Sequence, residues 1–219
     1  MGAAAAPQSS SRVRPAAAVT DRLATSLLSA ALVLLATCTT TSAIAGASTP
    51  DPASAAQAAA PARFATPVEG VLAGGRIDAD DLPALRAAGI VQVIDLTPDA
   101  ETPGFDEAGA VRAAGLAYDN VPIAGPADLG PTAVSAFDRL LRDARGPVLV
   151  HCASGNRVGA LAALRAAWLQ GADEDAAIAE GRRWGLRSLE ADVRTRLARE
   201  RCLASAQGAE ANAACAAGG

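Results

Sequence analysis

Along the chain, apolar residues fall into short continuous runs separated by stretches with helical spacing. Val71-Leu72-Ala73-Gly74-Gly75 predicts a short strand ending in a turn. Residues 80–88 predict a short helix, with Leu82 and Leu85 on one face and Gly89 as its stop. Ile90-Val91-Gln92-Val93-Ile94-Asp95-Leu96 is a nearly continuous β-branched run, the pattern of a strand covered on both faces. Residues 105–114 predict a helix closed by Gly115, and residues 116–123 a third strand weakened at its end by Pro122. After the Gly/Pro-rich loop 125–131, residues 132–144 predict a helix burying Val134, Phe137, Leu140 and Leu141. Val148-Leu149-Val150 is the next strand, and Leu161, Leu164 and Trp168 recur at i, i+3, i+7 on the helix after it. Beyond Gly171, residues 173–184 and 189–199 predict two more helices, the last packing through Leu189, Val193 and Leu197.

This alternation predicts an α/β fold: a mainly parallel central sheet flanked by helices. In such sheets ligands sit beyond the carboxyl ends of the strands. Cys152 lies there, in a loop between a strand and a helix N-terminus, and so does the loop around Asp128.

The first 66 residues break the pattern. Arg12, Arg14 and Arg22 precede an apolar stretch at 27–36, and small residues follow at 37–47. That is the three-part layout of a secretory signal peptide, with Ala43-Ile44-Ala45 as the cleavage site. Residues 1–45 are therefore expected to be a signal peptide and 46–66 a disordered Ala/Pro-rich linker. Residues 67–200 are expected to be the folded domain and 201–219 a C-terminal tail. The expected location is periplasmic or secreted. Leu35-Ala36-Thr37-Cys38 offers a lipoprotein-type alternative at Cys38, ranked second because Thr37 is a poor residue before a modified cysteine. No later apolar run is long enough to span a bilayer.

Composition narrows the function. All 19 basic residues are arginines, and the net charge of −4 leaves no basic footprint for nucleic acid. With a single histidine, no metal-ligand cluster is expected and no cofactor is called for. The expected partner is a small anionic substrate or a phosphorylated molecule.

The chemistry gathers in His151-Cys152-Ala153-Ser154-Gly155-Asn156-Arg157. A helix starting right after this loop points its free N–H groups and positive dipole end back at it. Residues 153–157 thus form an anion nest beside Cys152, a candidate nucleophile. Gly155 lets the backbone turn tightly, and Arg157 can present a planar two-pronged donor to an oxyanion. His151 is expected to take a structural and supporting role, either orienting the sulfur through hydrogen bonds or sitting as a satisfied histidine beside the sheet. Asp128, in its Gly/Pro-bounded loop, is the candidate general acid; the alternative is a cap for the helix starting near Pro131. Asp119 and Asp95 are weaker candidates.

The run from His151 to Arg157 resembles the active-site loop of cysteine-dependent phosphatases and rhodanese-like proteins. A wider pattern is more specific: Gly70-Val71-Leu72-Ala73-Gly74-Gly75, then residues 88–99, then Val121-Pro122-Ile123-Ala124-Gly125-Pro126, then 150–161. Together these resemble the bacterial β-lactamase-hydrolase-like phosphatase domain family over about residues 67–170, extending toward 200. The resemblance implies a fold similar to that of dual-specificity tyrosine phosphatases and a cysteine-dependent phosphatase activity. It does not imply a β-lactamase. Two departures stand out. Four residues separate Cys152 from Arg157, the rhodanese spacing, where tyrosine phosphatases have five. Val158 stands where phosphatases usually place Ser or Thr.

Three functions follow as expectations: a phosphatase acting through a phosphocysteine, a sulfurtransferase carrying a persulfide on Cys152, or a non-catalytic anion-binding protein. After signal removal, three cysteines remain. Cys152 must stay free for catalysis, so Cys202 and Cys215 are expected to form a disulfide pinning the tail to the last helix.

Overall fold

The computed structural model describes residues 61–205 and Cys215. The expected signal peptide, the first part of the expected linker and most of the tail lie outside these residues.

Five strands form one sheet: β1 (Ala65–Val68), β2 (Val71–Gly74), β3 (Gln92–Asp95), β4 (Ala117–Asn120) and β5 (Val148–His151), in the order β1-β2-β5-β3-β4. β5 pairs in parallel with β2 and β3, and β3 with β4; only β1 runs antiparallel, in a hairpin with β2. β1 falls within and just after the stretch expected to be linker. Phe64 is buried and packs where a Cβ on Gly74 would stand, so the fold starts before residue 67. A lone aromatic in an Ala/Pro-rich stretch has no periodicity to betray this. β3 and β4 are shorter than their apolar runs, although Leu96 and Ile123 still donate to His151 O and Leu96 O.

The connecting helices are α1 (Leu82–Ala87), α2 (Glu107–Ala113), α3 (Pro131–Asp143) and α4 (Asn156–Gln170), followed by α5 (Glu174–Arg183) and α6 (Glu190–Ser205). Successive strand residues point to opposite faces, and the sheet is buried on both. One face sends Leu72, Val93 and Leu149 against Leu82, Leu85, Val111 and Leu116. The other sends Ala73, Ile94, Val148 and Val150 against Val134, Phe137, Leu161, Leu164 and Trp184. α4 is buried around most of its circumference, with eight buried residues. Each large apolar side chain buried here contributes about 1.5–3 kcal/mol before entropy is counted. α6 runs past the expected domain end at 200, and a disulfide joins its Cys202 to Cys215, leaving Cys152 as the free cysteine among the described residues. Among the described residues no helix is long and apolar enough to cross a membrane.

Candidate active site

β5 ends at His151 and α4 begins at Asn156, so the loop between them sits at the carboxyl edge of the sheet. Gly155 turns the chain with a φ of +84°, the left-handed region that side chains avoid. The turn folds the Gly155 N–H back onto Cys152 Sγ at 3.2 Å. Cys152 is fully buried, and the loop is stitched to the β2 side by Cys152 N–H to Gly74 O and Arg76 N–H to Ala153 O. α4 has no side-chain cap. Its first-turn N–H groups are thus open toward an anion over the sulfur.

Arg157 is fixed by its donors. Nη1 donates to Glu101 Oε1 at 2.8 Å and to Ile123 O at 2.6 Å, and Nη2 donates to Glu101 Oε2 at 2.8 Å. A guanidinium has five donors, so three are spent. The two left, the Nε hydrogen and the second Nη2 hydrogen, share one edge. Its hydrogen bonds to Glu101 push the Arg157 pKa up against an opposing effect of burial, and the nearby Cys152 sulfur adds a smaller push the same way. Arg157 is thus held in place by Glu101 and Ile123 O, with one two-donor edge outside these bonds.

Glu101, missed in the sequence, is the other half of this clamp. It ends a short 3₁₀ turn, Asp99–Glu101, just beyond β3. Its main-chain oxygen accepts Arg76 Nη1 at 3.1 Å. Hydrogen bonds from Arg157 hold its carboxyl below the usual glutamate range, against a smaller opposing effect of burial. A carboxylate with a lowered pKa keeps its pairing above the ordinary glutamate range and loses it only as pH falls through the lowered value. Glu101 is therefore ionised near neutrality and is no proton donor. Its position beyond a strand's carboxyl end was the available signal. Glu101→Gln is expected to lower kcat/KM on a phosphate ester roughly tenfold, the scale of one charge-assisted hydrogen bond. The pair is partly exposed, so the melting temperature should barely move. Unchanged kcat/KM would show that Arg157 holds its pose unaided.

Asp128 ends a second 3₁₀ turn, Pro126–Asp128. Its Oδ2 accepts the N–H groups of Ala124 and Gly125 at 2.7 and 3.1 Å. It does not cap α3, whose N-cap is Gly130 with no side-chain bond. Arg157 reaches Ile123 O at the start of this segment, and Arg196 on α6 bonds Pro126 O, so the loop is moored beside the clamp. Asp119 instead accepts Gln92 Nε2 across the strands at 2.8 Å.

His151 makes no hydrogen bond to the sulfur, and of its two expected roles the geometry is that of a histidine bonded beside the sheet. Its Nε2 lies 2.7 Å from Glu107 Oε1 and 3.6 Å from Asp95 Oδ1, on the α2 side of the sheet. Neighbouring strand residues face opposite ways, so the histidine and the cysteine serve different cores. Asp95 also accepts Thr97 N, Tyr118 Oη and Asn120 Nδ2. Burial and the Asp95 carboxylate push the Tyr118 phenol up. Although one histidine pointed to no metal cluster, the ligand atoms of Asp95, Glu107 and His151 do converge within 4.8 Å. A ligating histidine normally donates its other ring N–H to an acceptor. Here His151 Nδ1 is buried with no partner. The trio fits a polar network better than a metal centre, and it anchors both ends of segment 97–107, which carries Glu101.

Asn156, expected in the anion loop, turns its side chain away. Its Oδ1 accepts Arg187 N and its Nδ2 donates to Ser188 Oγ, both within 2.8 Å. Only its backbone N–H can serve an anion. Val158 is fully buried in the α3–α6 core, which is why no hydroxyl stands after the arginine.

Residues 61–169 match the profile of the phosphatase-like domain of beta-lactamase hydrolase-like proteins. This domain belongs to that family. A beta-lactamase hydrolase-like protein of Agrobacterium fabrum is 37% identical over 81 residues, covering 35% of this chain and 19% of that protein. One from Xylella fastidiosa Temecula1 is 39% identical over 94 residues, covering 41% and 22%. The chain thus spans about a fifth of the curated relatives it matches. A solved structure from Neisseria meningitidis, named as a candidate phosphatase, is 23% identical with a TM-score of 0.54, covering 63% of this chain and 97% of its own. That likeness establishes a shared fold. The phosphatase-like domain starts at 61 by this match, in keeping with the buried Phe64.

Proposed function

We propose that the domain is a cysteine-dependent phosphatase that hydrolyses phosphate monoesters. One observation carries this reading: the Cys152 sulfur lies beside an uncapped helix N-terminus, accepts the Gly155 N–H, and has the Arg157 guanidinium as an electrostatic neighbour. The thiolate attacks phosphorus and the bond to the leaving oxygen breaks, giving a phosphocysteine. Arg157 and the loop amides hold the charge that builds on the phosphoryl oxygens. Asp128 protonates the leaving oxygen, swinging off its own turn to do so. Water then cleaves the sulfur–phosphorus bond and releases inorganic phosphate and the thiolate.

The test is release of phosphate from p-nitrophenyl phosphate, with Cys152→Ser as control. Equal rates for wild type and variant would end the proposal. Asp128→Asn is expected to slow alkyl phosphates by roughly tenfold to a hundredfold, the lower part of the range for general acids, and activated aryl phosphates much less. Equal slowing of both in parallel assays would remove Asp128 as the acid.

A second reading, persulfide sulfur transfer, is favoured by the four-residue loop and by an Asp128 already engaged with two N–H groups. It needs no acid. Thiosulfate-to-cyanide transfer with a mass increment of one sulfur on Cys152 would establish it in place of the phosphatase. The arginine, apolar and small-residue order of the first 45 residues supports export of the domain. Mass spectrometry of the mature N-terminus tests it, with Gly46 expected first.

A further inference from the structure

Arg76 is the second cation at this site, and the phosphatase chemistry above does not use it. It follows β2 after Gly75, and its backbone N–H bonds Ala153 O in the loop that carries Cys152, so its Cα is fixed on the rim. One Nη1 hydrogen goes to Glu101 O, and among the described residues the remaining four donors make no recorded hydrogen bond. The side chain is 44% exposed. Its Nη2 stands 4.0 Å from Glu101 Oε2, the same oxygen that Arg157 Nη2 holds at 2.8 Å. The two guanidinium groups can therefore be no further apart at these atoms than those two distances laid end to end. Two phosphates on neighbouring carbons span such a gap.

The charge balance runs the same way. Two guanidinium groups share one carboxylate, so the trio is net positive before substrate arrives. Aromatic walls are missing as well. Phe64, Phe137 and Trp184 are buried in the cores, Tyr118 bonds Asp95, Trp168 lies against α6, and Phe105 lines a hollow with Asp95 and Glu107. A phosphotyrosyl ring would find no aromatic face to stack on at the loop.

The geometry points to a substrate carrying two anionic groups, one phosphate over Cys152 gripped by Arg157 and a second phosphate or carboxylate on the adjoining carbon gripped by Arg76. This rests on the phosphatase reading for the first group only. The second group binds whether or not turnover follows.

The probe is a vicinal inositol bisphosphate set against the matching monophosphate. Binding is measured by calorimetry on the full mature chain in a Cys152→Ser background. The bisphosphate is expected to bind at least tenfold more tightly, and Arg76→Ala in that background to reduce the preference below threefold. Arg76→Lys, which keeps the charge but loses the fork, should retain an intermediate preference. A bisphosphate preference that is absent, or that survives Arg76→Ala, overturns the inference. Turnover of p-nitrophenyl phosphate by the wild type is run alongside. If that turnover is absent while the bisphosphate preference stands, the phosphatase proposal has failed and the two-anion site has not.

Discussion

Arg157→Lys is expected to cost nearly as much activity as Arg157→Ala, on the order of a hundredfold to a thousandfold in kcat. The range is that of removing a preorganised oxyanion donor, about 2.7–4 kcal/mol. A lysine keeps the positive charge, so charge alone would predict a mild effect. The geometry argues otherwise. Arg157 satisfies both Glu101 oxygens and Ile123 O at once and still has a two-donor edge to offer an oxyanion. A lysine ammonium has three donors at a single point. It can follow Glu101 or reach the phosphoryl group, and cannot do both. Steady-state kinetics on an aryl phosphate check this. A lysine variant within a few fold of wild type would mean that Arg157 supplies charge only and that its fork is idle.

Gly159→Ala is expected to lower stability by about 3 kcal/mol or more. Overpacking with a single carbon usually costs about 1–3 kcal/mol. Here the new Cβ would run into Leu186 N and stand 2.6 Å from Gly181 O, and backbone cannot swing aside as a side chain can. Gly181 faces the same crossing, where a Cβ would lie 2.7 Å from Gly159 O and 2.8 Å from Ala163 Cβ. α4 therefore touches α5 and the segment just after it backbone to backbone, two residues from Arg157. Asn156 ties the same segment to the loop through Arg187 and Ser188. A domain of this size loses roughly 2–4 °C of melting temperature per kcal/mol, so a fall of about 10 °C is expected. The activity that survives below the new transition should also drop, because the first turn of α4 is displaced. A melting curve that shifts by less than 2 °C would show that the helices separate without cost.

Much of this could be read from order alone. The strand at 148–150, the following helix, and the cysteine and arginine bracketing Gly155 lie within a few residues of one another. Local chain geometry then places the sulfur under the helix N-terminus whatever the rest does. The β-branched run at 90–96 likewise announced a strand covered on both faces, and the family resemblance rested on the same short stretches. β1 escaped because Phe64 is one residue without a periodic neighbour, and only the pairing of β1 with β2 and the packing of the ring at Gly74 make it part of the sheet.

The sequence by itself therefore determined the sheet's class and the placing of the candidate nucleophile and its arginine on one loop, since hydrophobic period and turn chemistry are properties of adjacent residues. Tertiary structure alone decided who meets them. Glu101 reaches Arg157 across 56 positions, Arg76 reaches Glu101 across 25, and His151 turns to Glu107 across 44. Periodicity reports which side of an element is buried. It carries no information on which charged side chain a distant loop brings to that side, because long-range pairing is set by how the crossovers close and not by any local preference.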